Sequence, residues 1–342
     1  MTRANIFLTR KDWSCFDAPQ MEQFKKDVFH YYRHVRGFPY LPEDKESRDK
    51  EYQKFWRYDF TKVISGNTLR LTPHAGSLLW SYFPHSFKIK SYGRRTPYQV
   101  FEDDKLLSIA IDKAIRFGNK MSDNRMRGML RMVNSAKGVS NFRPTAAAAI
   151  YQMYVGPGEQ VYDPCAGFGG RLLGAARVGA NYIGVDPSTK TYLGLKQLAE
   201  DYCGDIPVVL VQGCAEEYQP EEASMDFVLA SPPYYNLEQY SDEDTQSYVR
   251  FPSKEEWLNK FLYEMFRRVY VSLKVGKFFA LNVHNYRYFT DFEEKSIEFA
   301  EKAGFIRRED RDLRLLLSPI MGTRKFRKDT ERYEPIFLFQ KC

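Results

Sequence analysis

The stretch Val161-Tyr-Asp-Pro-Cys-Ala-Gly-Phe-Gly-Gly170 leads from a short apolar strand into a glycine-rich loop, and a helix is predicted from about Arg171. Glycine at these positions lets the backbone turn tightly and approach a ligand with no side chain in between. A dinucleotide fingerprint would place a third glycine where Leu172 stands, and the Gly-Lys-Ser/Thr of a phosphate-binding loop does not follow. The loop is therefore compatible with nucleotide cofactors of several kinds.

Strands and helices alternate on both sides of this loop. We predict strands at 161–163, 182–185, 208–211, 226–230, 277–283, 313–317 and 336–339, and helices at 145–154, from about 189, at 254–273 and at 291–303. This alternation predicts an α/β fold with a doubly wound, mostly parallel sheet. Ligands of such sheets bind beyond the carboxyl ends of the strands. The loops after Asp163, Val185, Val211 and Ala230 are therefore the candidate site.

The next two strands end in residues that suit an adenosine. A carboxylate at Asp186 can accept hydrogen bonds from both hydroxyls of a ribose, although an Asp-Pro-Ser sequence also suits a helix cap or a turn. Cys214-Ala215 follows the third strand, where an adenine edge would lie. Cys214 could equally be a small buried hydrophobic residue.

The fourth strand, 226–230, runs directly into Ser231-Pro232-Pro233-Tyr234. Two prolines stiffen the backbone and remove two amide donors, leaving carbonyl oxygens free to accept hydrogen bonds. Ser231 adds an acceptor, and Tyr234 supplies a flat ring that could stack on a base rotated out of its helix. These groups suit an aromatic amine, whose delocalised lone pair needs accepted N–H hydrogen bonds to become nucleophilic. The alternative is a Pro-Pro turn after a core strand.

In this combination of motifs the chain resembles the amino-methyltransferases of nucleic acids, whose fourth motif is Asp/Asn/Ser-Pro-Pro-Tyr/Phe, over roughly residues 140–342. The resemblance implies a Rossmann-like class I methyltransferase fold, with a seven-stranded sheet ending in an antiparallel hairpin, and S-adenosyl-L-methionine as methyl donor. Ser231 to Tyr234 would hold the target amine, and Asp186 would bind the ribose. The residues that would contact the methionine part of the donor are Asp163, Pro164, Gly167, Phe168 and Gly169, with Phe142, Arg143 and Pro144 as the family's tenth motif.

Two features depart from the family pattern. Cys165 stands where the family usually has phenylalanine, and no long insertion follows the fourth motif. Serine at position 231 favours N4 of cytosine as the target, with N6 of adenine as the alternative. Methylation of cytosine C5 is disfavoured, because it needs a cysteine nucleophile and residues 231–236 contain none. Cys165 is interpreted as a packing residue.

Charge is divided unequally along the chain: residues 1–140 carry a net charge of +11 and residues 141–342 one of −4. We therefore predict two regions: a basic, aromatic-rich, irregular N-terminal region at 1–139, with helices at about 103–117 and 124–133, that recognises nucleic acid, and a catalytic domain at 140–342. A merely solvated basic surface is the alternative. Candidate phosphate contacts are Arg94, Arg95, Arg324, Lys325, Arg327 and Lys328.

The remaining features predict a cytoplasmic protein without a metal. The five cysteines are scattered, His30 and His34 have no accompanying acidic cluster, and no membrane span or signal peptide is apparent. DNA is the expected partner, with RNA possible. The alternatives are an RNA or protein amine methyltransferase, which also use Pro-Pro-Tyr loops, and a catalytically silent nucleic-acid-binding module.

Overall fold

The computed structural model describes residues 6–133, 136, 138–317 and 332–342. Its α-helices, in chain order α1 to α14, are Arg10–Trp13, Ala18–His30, Lys45–Arg57, Gly76–Tyr82, Pro97–Glu102, Asp104–Phe117, Asp123–Met132, Pro144–Tyr154, Gly170–Val178, Thr189–Tyr202, Ser247–Arg250, Lys254–Glu256, Tyr263–Ser272 and Phe292–Lys302. Its strands, β1 to β12, are Ile64–Ser65, Thr68–Arg70, Lys90–Ser91, Gln160–Asp163, Asn181–Asp186, Val208–Gln212, Met225–Ala230, Glu238–Gln239, Leu273–Asn282, Ile306–Arg307, Leu313–Leu316 and Tyr333–Gln340. Two π-helical turns, Tyr31–Arg36 and Trp257–Leu262, continue α2 and join α12 to α13.

Ten of the described strands form one sheet in the order β1-β2-β11-β12-β9-β7-β4-β5-β6, with β10 paired to β12. Within the run β9-β7-β4-β5-β6 every pair of neighbouring strands is parallel, whereas β12 is antiparallel to both β9 and β11. Strand β7 is buried at every position, as a central strand covered on both faces must be. The predicted doubly wound, mostly parallel sheet with a C-terminal antiparallel hairpin is therefore confirmed.

The strand order reverses between β4 and β7. From β4 the chain proceeds outward through β5 and β6, then returns to place β7 on the other side of β4. A crevice opens at such a reversal, because the loops that leave the two strands run in opposite directions. The glycine loop leaves β4 and Ser231 follows β7, so the topology brings both predicted motifs to this point.

The described residues form two compact units. The first comprises Met1–Pro42, Pro84–Ser140 and Leu237–Tyr240, and the second comprises Glu43–Phe83, Asn141–Asn236 and Ser241–Cys342. Residues 43–83 thus fold with the sheet, although we predicted that they belong to the N-terminal region. Strand β2 pairs in parallel with β11, and Thr72 and Thr145 share a 2.8 Å hydrogen bond.

The first unit is helical, and many of its aromatic side chains form its own core. Tyr31, Tyr32 and Phe38 are at most 5% exposed, and they pack with apolar residues of α6 and α7. Both of these helices begin and end within two residues of the predicted positions. Aromatic residues that we associated with nucleic-acid recognition are therefore, at these three positions, core residues.

Candidate active site

The glycine loop after β4 is shaped by a close approach of the backbone at Phe142. Gly167 and Gly169 have positive φ values of 54° and 73°, which favour glycine. A Cβ atom on Gly170 would lie 1.8 Å from the Phe142 carbonyl oxygen, and the Asn141 amide donates a 3.0 Å hydrogen bond to the Phe168 carbonyl. The segment that begins at Phe142 therefore lies against the glycine loop.

Arg143 lies next to this contact, at the start of α8. Its guanidinium is partly buried, and this desolvation lowers its pKa. Its Nη1 atom lies 3.5 Å from the position that a Cβ atom on Gly76 would take. Pro144, at the first position of α8, is buried.

Asp163, at the end of β4, supports the loop from inside. Its carboxylate accepts hydrogen bonds from Arg171 Nε and from the Tyr182 hydroxyl, both at 2.7 Å, and from the Cys165 amide at 3.2 Å. The side chain is fully buried. These internal bonds occupy the carboxylate, so the loop backbone, rather than this side chain, is left to face a ligand.

Asp186, at the end of β5, is bound to the loop of β4. One carboxylate oxygen accepts the Gly167 N–H at 2.9 Å and the other accepts the Ser188 N–H at 3.0 Å. Each oxygen retains a lone pair for a further donor. Although the residue keeps some solvent exposure, the surrounding protein desolvates its carboxylate and raises its pKa to about 7.

The loop after β6 is buried against a later segment of the chain. Cys214 and Ala215 are both buried, the Cys214 thiol lies 3.5 Å from the Thr245 carbonyl, and burial raises the pKa of this thiol to about 11. Arg250 pairs with Glu216 at 2.6 Å and fixes the end of that segment. This loop therefore presents its backbone edge rather than a reactive side chain.

The Ser231–Tyr234 loop begins where β7 ends. Pro232 is buried, whereas Ser231, Pro233 and Tyr234 are partly exposed. The Ser231 hydroxyl lies 3.5 Å from Asn282 Oδ1, and the Tyr234 hydroxyl lies 2.9 Å from His284 Nδ1. The loop therefore combines partly exposed hydrogen-bond acceptors with a tyrosine ring whose hydroxyl is hydrogen-bonded to His284.

The Tyr234 ring belongs to an aromatic cluster. Tyr286 lies nearly parallel to it, with ring centroids 6.0 Å apart, and donates a 3.0 Å hydrogen bond to the Tyr234 carbonyl. Phe292 meets the ring edge-on at 5.3 Å. Burial lowers the pKa of the His284 imidazole and so favours its neutral form. The ring is thus fixed in orientation by its neighbours.

The two cysteines near the site, Cys165 and Cys214, are packed against other parts of the protein. The Cys165 thiol lies 3.7 Å from Met265 Sδ, as expected of a packing residue, and burial raises its pKa. A protonated thiol is a weak nucleophile. Burial therefore disfavours the thiolate form of both Cys165 and Cys214.

Of the residues predicted to contact nucleic acid, Arg94 and Arg95 lie within the described part of the chain. Arg94 and Arg95 are exposed in the first unit, and Arg95 forms a 3.1 Å ion pair with Asp103. The basic cluster at Arg324, Lys325, Arg327 and Lys328 lies outside the described residues.

Sequence reasoning missed three residues that contact the candidate loop: Asn282, His284 and Tyr286. Asn282 is the last residue of β9 and the other two follow the strand, whose carboxyl end also lies at this edge of the sheet. A signal was present in the sequence, because the polar residues Asn282, His284 and Asn285 stand at the end of an apolar strand.

Two kinds of feature are absent from the described part of the chain. None of the helices there is long and apolar enough to cross a membrane. Within the same residues, no three His, Cys, Asp or Glu side chains are grouped so as to hold a metal ion.

No protein-family model matches this chain, and no curated protein matches it. Several solved structures are similar to it. A SAM-dependent O-methyltransferase from Thermotoga maritima is 15% identical with a TM-score of 0.41, over 60% of this chain and 68% of that one. A SAM-dependent methyltransferase from Methanosarcina mazei is 14% identical with a TM-score of 0.40, over 56% and 96%. Magnesium protoporphyrin IX methyltransferase from Synechocystis is 16% identical with a TM-score of 0.37, over 54% and 71%.

Proposed function

We propose that this protein transfers a methyl group from S-adenosyl-L-methionine to the exocyclic amino group of a base in DNA, with N4 of cytosine as the favoured target. One observation carries the proposal. Strands β4 and β7 are parallel neighbours, so the glycine loop and the Ser231–Tyr234 loop leave adjacent carboxyl ends of the sheet. Neighbouring strands lie about 5 Å apart. This spacing supports a donor bound at the glycine loop within reach of an amine bound at the Ser231–Tyr234 loop.

The chemistry of the residues present fits the methyl donor. Gly167 is partly exposed and leaves its backbone open to a ligand, whereas Gly169 is buried against Leu198 and gives the loop its turn. Asp186 has one lone pair available on each carboxylate oxygen for the two ribose hydroxyls, and Arg143 offers a guanidinium to the methionine carboxylate. When bound, S-adenosyl-L-methionine supplies a methyl group on a positively charged sulfur.

The chain's own residues would act on the amine. Ser231 and the carbonyl oxygens of the proline-stiffened turn accept hydrogen bonds from the amine N–H groups, and this localises the nitrogen lone pair. Tyr234 presents an oriented ring on which a base rotated out of its helix can stack. Because the turn is rigid and its neighbours hold the ring, positioning supplies much of the rate enhancement.

The first unit would hold the nucleic acid. This unit contains 19 Lys and Arg residues against 10 Asp and Glu residues, a net charge of +9, which favours a polyanionic partner. Arg94 and Arg95 are its proposed phosphate contacts, and the basic cluster at 324–328 is proposed to add to them. Contacts of this kind supply affinity and register rather than base recognition.

Methyl transfer from isotope-labelled donor to duplex DNA, structured RNA and protein tests the proposal. DNA that becomes labelled is digested to nucleosides and analysed by mass spectrometry. N4-methylcytosine is the expected product. Detection of N6-methyladenine instead would change the assigned target base to adenine and leave the proposed chemistry intact. Label only in RNA or only in protein would overturn the DNA assignment, and nucleic-acid binding without any transfer would indicate a catalytically silent module.

A further inference from the structure

Two polar residues at the end of β9 contact the two ends of the Ser231–Tyr234 loop. Asn282 is the last residue of the strand, and His284 follows two positions later. We infer that both are positioning residues for the proposed methyl transfer: Asn282 makes Ser231 an acceptor-only group toward the substrate, and His284 fixes the Tyr234 ring. This inference rests on the proposed function and adds a reason why an NH2 group is selected.

The orientation of the Asn282 amide follows from its two partners. Asn282 is 4% exposed, and its Nδ2 donates a 3.0 Å hydrogen bond to the Pro335 carbonyl. A carbonyl can only accept, so the NH2 side of the amide must face Pro335. The amide oxygen therefore faces the Ser231 hydroxyl, at 3.5 Å.

This orientation determines what Ser231 can offer a substrate. An amide oxygen only accepts, so the single hydroxyl proton of Ser231 is directed to Asn282. The two lone pairs of the hydroxyl oxygen remain for other donors. Toward a substrate, Ser231 is then an acceptor, which favours an N–H group over a carbonyl oxygen or an unprotonated ring nitrogen.

His284 holds the other end of the loop. Its Nδ1 lies 2.9 Å from the Tyr234 hydroxyl, and the two rings meet edge-on with centroids 4.8 Å apart. Glu334 Oε1 lies 3.5 Å from the same nitrogen. Together with the bond from Tyr286 to the Tyr234 carbonyl, this interaction fixes the plane of the ring on which a base would stack.

A double-mutant cycle with labelled donor and single-turnover rates tests the role of Asn282. Asn282→Ala is expected to lower the rate about ten- to hundredfold while KM for DNA stays unchanged, because the misdirected hydroxyl no longer accepts from the amine. In a Ser231→Ala background the same change should cost no further rate, since Asn282 acts only through Ser231.

Asn282→Asp keeps an acceptor toward Ser231 and is expected to retain most of the wild-type rate; it also serves if the alanine variant does not fold. Asn181→Ala is the matched control. The Asn181 amide also donates a 3.0 Å hydrogen bond to a backbone carbonyl, that of Gly158, but Asn181 stands at the start of β5 and not at the carboxyl end of a strand. It should leave the rate unchanged.

The equivalent cycle pairs His284→Ala with Tyr234→Phe, and His284→Asn is its conservative variant. His284→Ala should slow the wild-type chain and have little effect once the Tyr234 hydroxyl is absent. If the rate reductions multiply in both cycles while wild-type protein methylates DNA, the two residues are merely structural and the inference fails alone. A wild-type protein that methylates no nucleic acid would overturn the proposed function and the inference together.

Discussion

The Gly167 backbone N–H donates a 2.9 Å hydrogen bond to the carboxylate of Asp186, and so joins the loop after β4 to the end of β5. The carboxylate that would bind a ribose is therefore also part of the scaffold of the glycine loop. Any change in the charge of Asp186 should affect both functions.

Binding of S-adenosylhomocysteine should depend on pH through Asp186. Ribose hydroxyls donate to the ionised carboxylate, whose pKa in the ligand-free protein is about 7. Affinity should therefore rise with pH, by up to about tenfold per unit below pH 7, and level off above it. Calorimetry between about pH 6 and pH 8 measures this.

Asp186→Asn is the matched variant, since it should bind more weakly and without this pH dependence. Equal affinity of the two proteins would refute the ribose contact. The sign for stability is opposite: the folded-state pKa lies above the ordinary value of 3.8, so the neutral carboxyl stabilises the fold, and this contribution disappears as pH rises through about 7.

Ser231→Ala should reduce methyl transfer by about a hundredfold or more, because the amine loses an acceptor at the moment its lone pair must localise. Tyr234→Ala should abolish turnover, because the base loses the ring on which it stacks. Affinity for S-adenosylhomocysteine should be unchanged in both variants.

The control for this pair is Ser224→Ala, which removes a hydroxyl just before β7, at the opposite end of the strand. Near-normal turnover of Ser231→Ala or Tyr234→Ala would remove that residue from the proposed site.

Gly170→Ala should destabilise the fold by about 1–3 kcal/mol and weaken donor binding, because the added methyl group cannot avoid the Phe142 carbonyl. Gly128→Ala in α7 is the matched control: a Cβ there meets nothing within 4 Å. Alanine should stabilise that helix by up to about 1 kcal/mol. Urea unfolding compares the two, and equal stabilities would contradict the close approach.

Arg171→Met should destabilise the protein by about 3–5 kcal/mol, because it leaves the Asp163 carboxylate buried without its counter-charge. Arg267→Met removes an exposed 3.1 Å pair with Glu264 and should cost less than about 1 kcal/mol. Urea midpoints measure both, and a small effect at Arg171 would show that the pair does not support the glycine loop.

Replacing Arg94 and Arg95 together by alanine should weaken binding to DNA of any sequence and reduce the salt slope by about one unit for each phosphate that the protein no longer neutralises. Fluorescence anisotropy at several salt concentrations measures the slope. Arg308→Ala, which removes a guanidinium paired with Asp310 in the second unit, is the control. An unaltered slope would dismiss the two arginines as phosphate-binding residues.

The back of the chain was predictable because its strands are continuous apolar runs that end in turn-forming residues. Strand β7 shows this: its apolar run was predicted to within one residue. The helix at Asp104–Phe117, in the first unit, was predicted as closely from its helical apolar period. The pairing of Thr68–Arg70 with Leu313–Leu316 had no such signal. A strand of three residues is too short for a period, and its partner lies more than 240 positions away.

The candidate site was predictable where one motif contains all of the chemistry. Ser231 to Tyr234 is contiguous, so its residues could be interpreted together. Asn282 and His284 act on that loop from another strand, and only the parallel pairing of β7 with β9 brings them there. The internal bonding of Asp163 was likewise hidden, because its partners Arg171 and Tyr182 lie on a helix and on the next strand.

The pairing of β2 with β11 has a practical consequence for expression. A protein truncated to begin near residue 140 would lack β1 and β2 and would expose the outer edge of β11 to solvent. Unprotected edges pair with other chains and promote aggregation. A soluble version of the sheet unit therefore needs residues 43–83 as well, although they precede every recognisable motif.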